Sequence, residues 1–299
     1  MNNYYNFYEY VAKYHLGEII NDACLKDYCT LKIGGKCLCV YKPNSVHSLI
    51  KAYKYIVRNK LDYYVLGNGS NMLISDEYHS CIIINLKNLS NYNIVDNLLT
   101  VQAGAMGNVL SKKISKQNLS GLEFLSGIPG TIGGMIYMNA GAWNHHISDI
   151  IESITYLDEF GKICVMEKLS DKGFGYRKSP FMKRHVIILS CTIKLTNDDN
   201  AFNRYLEYLT KKIASQPLKS YNAGCTFKNP LNQSAWKLIR EHAKSLQFNN
   251  IEISNIHANF LVNKSNATFN EMIEAINLIQ TKVYQNTNIS LELELTILR

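Results

Sequence analysis

Apolar residues recur along this chain in two distinct patterns. Spacing of three and four residues, which predicts amphipathic helices, occurs in "FYEYVAKYHLGEII", "SVHSLIKAYKYIVRNK", "NVLSKKISKQN", "NAFNRYLEYLTKKIASQPL", "SAWKLIREHAKSL" and "FNEMIEAINLIQTKVYQN". Short β-branched runs, which predict strands, occur in "KCLCVYKP", "YYVL", "CIIINL", "NIV", "LLTVQAGA", "HVIILSCTIKL", "HANFLVN" and "ISLELELTIL". The segment "TYLDEFGKICVM" predicts a hairpin around Glu159, Phe160 and Gly161.

The order of these elements predicts the domain organisation. Residues 1–28 read as a helical N-terminal segment, and residues 29–85 as a small α/β unit because strand, helix and strand follow one another. Residues 86–196 hold short strands interrupted by one helix, which is typical of an α+β unit. The helix that ends near Pro217 leads into a third unit, so residues 197–299 form the last predicted domain.

Length and charge exclude several classes of protein. The chain has 299 residues, and no apolar run reaches the ~18 residues that a membrane span needs. The N-terminus lacks the basic and apolar regions of a signal peptide, so we expect a cytoplasmic protein without a membrane partner. The net charge is +8, but the lysines are dispersed, so no nucleic-acid surface is indicated. We expect a monomer.

The eight cysteines show no C-x-x-C spacing. A structural zinc site would need such pairs or Cys/His clusters, so no metal is predicted. Reduced, buried thiols are the simpler interpretation. Cys37 and Cys39 lie two apart in a predicted strand, which directs both side chains to one face.

Three glycine-rich segments stand out: "GNGSN" (67–71), "AGAMG" (103–107) and "GIPGTIGG" (127–134). Glycine allows positive φ and close approach of the backbone to a ligand, so successive N–H groups of such loops can bind a phosphate. The alternative is that these glycines only make tight turns and strand crossings. Neither a Rossmann fingerprint nor a Walker A motif is present. The residues alone indicate a bound dinucleotide and no narrower class of ligand.

A longer series of motifs resembles one family. "LKIGG", "GNGSN", "GLEFLSGIPGTIGGMIYMNAGAW", "FGYRKSPF", "AGCTFKNP", "HANFLVN" and "LELEL" occur in that order from about residue 29 to the end. This series closely resembles the UDP-N-acetylenolpyruvoylglucosamine reductase family in its shorter form. The resemblance implies an α+β architecture: an FAD-binding fold of the vanillyl-alcohol-oxidase (PCMH) type in two subdomains, plus a C-terminal α/β substrate-binding domain.

The resemblance also implies a reaction and its cofactors. Non-covalent FAD, reduced by NADPH as co-substrate, adds hydride to C3 of the enolpyruvyl group of a UDP-sugar, and a proton reaches C2. The product is UDP-N-acetylmuramate, a peptidoglycan precursor. The implied FAD-binding residues are Gly67, Asn68, Gly69, Ser70, Asn71, Ala103, Gly104, Gly127, Ile128, Pro129, Gly130, Gly133, Gly134 and Asn139.

Three catalytic residues follow from the same motifs. Arg177 would bind the substrate carboxylate, and Glu294 would face the enolate in its protonated form. Cys225 stands where the motif most often has serine, and its thiol would donate the proton to C2. Tyr176, Lys228 and Asn229 are implied substrate contacts, whereas His257 reads as a packed structural histidine.

Two other functions compete with this interpretation. One is an FAD-dependent oxidase of the same superfamily, although "AGCTFKNP" does not resemble a covalent flavin attachment site. The other is an inactive nucleotide-binding homologue, of which Cys225 would be the trace. Retention of Arg177 and Glu294 argues against the second.

Overall fold

The computed structural model describes residues 2–167, 172–182 and 184–299. These residues form seven α-helices: α1 (Asn2–Lys13), α2 (Val46–Arg58), α3 (Gly107–Ser115), α4 (Ile132–Met138), α5 (Ala201–Ser215), α6 (Ala235–His242) and α7 (Phe269–Thr287). No helix within these ranges is both long and apolar enough to cross a membrane.

The same residues form seventeen strands, several of them very short. They are β1 (Gly17–Asn21), β2 (Cys37–Pro43), β3 (Tyr63–Leu66), β4 (Met72–Ile74), β5 (His79–Asn85), β6 (Tyr92–Val95), β7 (Leu98–Gln102), β8 (Leu119–Ser120), β9 (Gly141–Ala142), β10 (His145–His146), β11 (Ile151–Leu157), β12 (Ile163–Glu167), β13 (Ile187–Lys194), β14 (Thr196–Asn197), β15 (Ile251–Ile253), β16 (Leu261–Asn263) and β17 (Thr296–Leu298).

The chain divides into two compact units, each made of several segments. The first unit comprises Met1–Ala23, Cys37–Asn68 and Ser80–Thr210. The second comprises Cys24–Lys36, Gly69–His79 and Lys211–Arg299. The boundaries that the sequence predicts at residues 28, 85 and 196 remain predictions.

The first unit contains two sheets around one apolar core. A four-stranded sheet has the order β1-β2-β5-β3, in which β3 and β5 are parallel. A five-stranded antiparallel sheet has the order β12-β11-β13-β7-β6. Fully buried side chains of both sheets, such as Ile84 and Ile193, belong to the same core cluster. Burial of this apolar surface is the main stabilising contribution to the unit.

The predicted position at which the N-terminal helix ends is wrong. Helix α1 ends at Lys13, and "GEII" lies in β1, which pairs antiparallel with β2. Local periodicity does not reveal this pairing, because the partner strand begins sixteen residues beyond the end of β1. The docked helix itself buries Phe7 and Val11 in the first unit's core.

The second unit has its own core and little extended structure. Helices α6 and α7 contribute buried side chains such as Ile239 and Ile276. Strand β17 pairs in parallel with β4, and β15 pairs with β16. The predicted strand "ISLELELTIL" is therefore regular only at Thr296–Leu298, although Leu293 makes an isolated antiparallel bridge with Phe227.

Candidate active site

Two of the predicted glycine loops meet inside the first unit. The side-chain amide of Asn68 donates a hydrogen bond of 2.6 Å to the carbonyl of Pro129. Gly67 lies so close to the Thr131 hydroxyl that a Cβ at position 67 would overlap it. The close approach therefore requires glycine at position 67. This contact and the Asn68 hydrogen bond join "GNGSN" to "GIPGTIGG".

Helix α4 starts within the second of these loops. Thr131 is its N-cap, and the Thr131 hydroxyl accepts a hydrogen bond from the Gly134 amide. The amides of Ile132 and Gly133 donate to the carbonyls of Ala105 and Ala103, each at 2.8 Å. These amides are occupied by protein partners, as the packing interpretation of the glycines expects, and the role of Gly133 and Gly134 in binding FAD remains a prediction.

Gly133 also packs tightly against Ala103. A Cβ at position 133 would lie 2.9 Å from the Ala103 Cβ, and a Cβ at position 104 would overlap the carbonyl oxygen of Leu86. In contrast, the amides of Gly130 and Thr131 make no hydrogen bond within the described part of the chain. The prediction that backbone amides of residues 127–134 bind a phosphate therefore rests on this first portion of the loop, in which the Ile128 amide already donates to the Leu125 carbonyl at 3.0 Å.

Asn139 occupies a structural position at the end of α4. It is buried, has a φ of 44° as the C-cap, and donates through its side chain to the Gly175 carbonyl at 2.8 Å. Its side-chain oxygen accepts from the Ser148 amide at 3.3 Å. Asn139 thus links the end of α4 to the turn that carries Arg177.

That turn is short and well anchored. Gly175 and Lys178 exchange two backbone hydrogen bonds of 3.0 Å, which leaves Tyr176 and Arg177 at the tip. The Ser179 hydroxyl donates to the Tyr137 carbonyl at 2.6 Å, so both sides of the turn are tied to α4. The Arg177 guanidinium lies 5.1 Å from the centre of the Tyr176 ring, at cation–π distance.

The second unit brings together three other predicted residues. Leu293 and Phe227 pair, and the Glu294 amide donates to the Thr226 carbonyl at 2.9 Å. The segment that contains Cys225 thus runs beside the segment that contains Glu294. Asn71 joins them, because its side-chain amide donates to the Glu294 carbonyl at 3.0 Å.

The remainder of "GNGSN" lies beside the same segment. Gly69 belongs to the second unit, and its carbonyl accepts from the Thr30 amide at 3.3 Å. The carbonyl oxygen of Ser70 is 4.0 Å from the position that a Cβ on Gly224 would occupy. The loop therefore ends next to the residue that precedes Cys225.

Lys228 and Asn229 continue from Cys225 and make local contacts. The Lys228 ammonium pairs with the exposed Glu292 carboxylate at 3.3 Å. The Asn229 side chain accepts a hydrogen bond from the amide of Ala235, the first residue of α6. Their predicted contacts with substrate remain predictions.

His257 is packed between aromatic rings of the second unit. Its ring centre lies 5.9 Å from that of Trp236 and 5.0 Å from that of Phe260. Burial lowers the pKa of His257 below its ordinary value of 6.5. A neutral imidazole is therefore favoured, in agreement with the interpretation of a structural histidine.

The first unit also contains a residue that the sequence did not indicate. The Lys87 ammonium donates to the Asn68 side-chain oxygen at 2.9 Å. Asn85 holds this arrangement, since its side chain donates to the Gly67 carbonyl and accepts from the Lys87 amide. No local motif marks Lys87, because it reaches the loop only through the parallel pairing of β3 with β5.

These features fit the diphosphate of a dinucleotide cofactor. The amides of Gly130 and Thr131, which are unpaired among the residues that the structure describes, offer hydrogen-bond donors to an anion. Gly67 leaves space beside them, and the lysine next to Asn68 adds positive charge. The loops therefore suit a phosphate-bearing cofactor.

Comparison with known proteins agrees with a protein that binds a dinucleotide cofactor. Residues 37–167 match the family model described as "FAD binding domain". The berberine bridge enzyme from Eschscholzia californica shares the fold, with a TM-score of 0.51 and 16% identity over 64% of this chain and 43% of that one. The chain is thus an FAD-binding flavoprotein with the predicted α+β fold of the vanillyl-alcohol-oxidase type.

The comparisons also define the family. Residues 216–298 match the model described as "UDP-N-acetylenolpyruvoylglucosamine reductase, C-terminal domain". The UDP-N-acetylenolpyruvoylglucosamine reductase of Clostridium tetani is 34% identical over 303 residues, which cover 100% of this chain and 98% of the relative. The crystal structure of the Thermus caldophilus reductase has a TM-score of 0.80 and 31% identity over 95% of this chain and 99% of that one. The chain belongs to the UDP-N-acetylenolpyruvoylglucosamine reductase family.

Proposed function

We propose that this chain reduces UDP-N-acetylglucosamine-enolpyruvate to UDP-N-acetylmuramate, with FAD as cofactor and NADPH as co-substrate, in the synthesis of peptidoglycan precursors. The main support is family membership over the full length of both chains. We further propose that the protein works as a monomer in the cytoplasm.

The reaction saturates a carbon–carbon double bond. One hydride adds to C3 of the enolpyruvyl group, one proton adds to C2, and NADPH is oxidised to NADP⁺. FAD, when bound, supplies the hydride transfer that protein side chains cannot perform. The residues of the chain must hold the substrate, stabilise the negative charge that develops on its carboxylate, and deliver the proton.

Arg177 is proposed to bind the substrate carboxylate. A guanidinium forms two parallel hydrogen bonds with a carboxylate and remains charged at all relevant pH values. This interaction strengthens as negative charge accumulates in the transition state, so it lowers the barrier and not only KM. The anchored turn from Gly175 to Lys178 supports the role, because it fixes the backbone from which Arg177 projects.

Cys225 is proposed to donate the proton to C2. A thiol with an ordinary pKa of ~8.5 is mostly protonated near pH 7 and releases a proton more readily than an alcohol. The thiolate formed in this step regains its proton from solvent before the next turnover. The partial exposure of Cys225 is compatible with that exchange.

Glu294 is proposed to stabilise the enolate as a protonated carboxyl group. Its backbone is fixed on both sides, by Thr226 through the Glu294 amide and by Asn71 through the Glu294 carbonyl. Tyr176, Lys228 and Asn229 are proposed to contact the UDP-sugar. Both lysine and asparagine are suited to phosphate and carbonyl oxygens.

A spectroscopic titration tests the proposed function. The purified protein should be yellow, and anaerobic NADPH should bleach the flavin absorbance. Addition of UDP-N-acetylglucosamine-enolpyruvate should then restore the colour with one equivalent of UDP-N-acetylmuramate formed. Restoration by oxygen alone, with no response to the enolpyruvyl substrate, would favour an oxidase, and failure of NADPH to bleach the flavin would favour an inactive homologue.

A further inference from the structure

The Lys87 ammonium contacts the joined glycine loops of the first unit through Asn68. It donates to Asn68 at 2.9 Å, and the other end of the Asn68 side chain donates to Pro129 at 2.6 Å. Two hydrogen bonds through Asn68 therefore connect the Lys87 ammonium to the loop that contains Pro129. The Gly130 and Thr131 amides of that loop are unpaired in the described part of the chain.

The backbone holds Lys87 at this place. Asn85 is buried, and its side chain bonds both to the Gly67 carbonyl at 3.1 Å and to the Lys87 amide at 3.2 Å. The pairing of Leu66 with Asn85 sets the register of β3 and β5. Lys87 itself is exposed, so its ammonium is accessible to a ligand.

We propose that Lys87 binds the diphosphate of FAD and neutralises part of its charge. This inference rests on the proposed FAD-dependent function. The amides of Gly130 and Thr131 can donate hydrogen bonds to phosphate oxygens but carry no net charge. Lys87 supplies the positive charge, and Asn68 orients its ammonium towards the loops.

Flavin affinity, measured by quenching of flavin fluorescence on the refolded or dialysed apoprotein, tests the proposal. The variant Lys87→Gln should bind FAD about tenfold more weakly at low ionic strength, and the deficit should shrink as salt screens the charge. Lys87→Arg should bind FAD nearly as tightly as the wild type. Lys112→Gln, an exposed lysine on α3, is the matched control and should not change the affinity.

Riboflavin separates a charge effect from a general loss of structure. Riboflavin has no phosphate, so its affinity should be equal for the wild type and Lys87→Gln. The proposal is wrong if Lys87→Gln binds FAD like the wild type, or if the weakening is independent of salt and extends to riboflavin. A wild-type protein that does not bind FAD at all would instead overturn the proposed function.

Discussion

Arg177 has a backbone conformation that is uncommon for its residue type. Its φ is 51°, in the left-handed region that costs a non-glycine residue about 1 kcal/mol or more. Two reciprocal hydrogen bonds between Gly175 and Lys178, and the bond from Asn139, hold the turn in this form. A strained arginine at the tip of an anchored turn is typical of a functional position.

The variant Arg177→Lys should lower kcat/KM for the enolpyruvyl substrate about 100-fold. Lysine keeps the charge but cannot form the bidentate pair, and such a loss is typical for one group that stabilises a developing anion. Steady-state kinetics measure this loss, and a titration with FAD measures cofactor affinity in the same variant. Lys178→Gln, at the neighbouring exposed position, should leave kcat/KM and FAD affinity unchanged. Equal kinetics for Arg177→Lys and the wild type would contradict the proposed role.

Replacement of Cys225 separates the proton step from flavin reduction. In Cys225→Ala, reduction of the flavin by NADPH should proceed at the wild-type rate, while its reoxidation by substrate should slow about 100-fold or more. Cys225→Ser should restore much of this step, because a hydroxyl can donate the proton. Anaerobic stopped-flow absorbance measures both half-reactions. An unchanged substrate half-reaction in Cys225→Ala would exclude the thiol as the donor.

At the scale of elements, a charged cluster ties helix α5 to the segment before the glycine loop. Glu123 is 4% exposed, and it accepts from the Gly121 amide at 2.7 Å and from Arg204 at 2.9 Å. Arg204 also donates to Ser120 and Asp198. A buried carboxylate needs such partners, since desolvation disfavours its charge. This cluster fixes residues 120–123, which precede "SGIPG" (126–130) by two residues.

The variant Arg204→Gln should lower the free energy of unfolding by about 1–2 kcal/mol, because it leaves the Glu123 carboxylate without its cation. This loss is smaller than for a fully buried pair, since Arg204 is partly exposed. FAD affinity should fall as well, because the glycine loop follows this segment. Asp198→Asn, which removes the more exposed partner, should have a smaller effect in urea unfolding. Similar losses for the two variants would argue against a special role of Glu123.

At the scale of the whole molecule, burial of His257 predicts how stability depends on pH. Its folded-state pKa is lowered, so the unfolded chain binds more protons below pH 6.5, the ordinary pKa. The contribution of His257 to stability is therefore complete above pH 6.5 and is lost as pH falls towards the lowered pKa. When thermal unfolding is measured between pH 5 and pH 8, the Tm of His257→Gln should fall less on the acid side than the Tm of the wild type. A parallel decrease in both would assign the acid sensitivity to other groups.

The sequence predicted the elements well where the signal is local. Helix α7 has the capping box of Thr268 and Glu271, and the hairpin of β11 and β12 turns at Asp158 to Gly161, as its glycine indicates. The prediction failed at β1, where antiparallel pairing with β2 prevails over a helix-like apolar spacing. It was also too long for β17, because only Thr296–Leu298 has a regular strand partner.

The family, the helices and most strands were predictable from the sequence alone, since these depend on residue type and on spacing within one segment. The sequence also located the glycine loops and the candidates Arg177, Cys225 and Glu294. Only the tertiary structure decided which loop amides are occupied, that Asn71 bonds to Glu294, and that Lys87 reaches Asn68. Such contacts join segments that are from about 20 to more than 200 residues apart. Their formation depends on strand pairing and side-chain packing in three dimensions, which no local pattern of residues specifies.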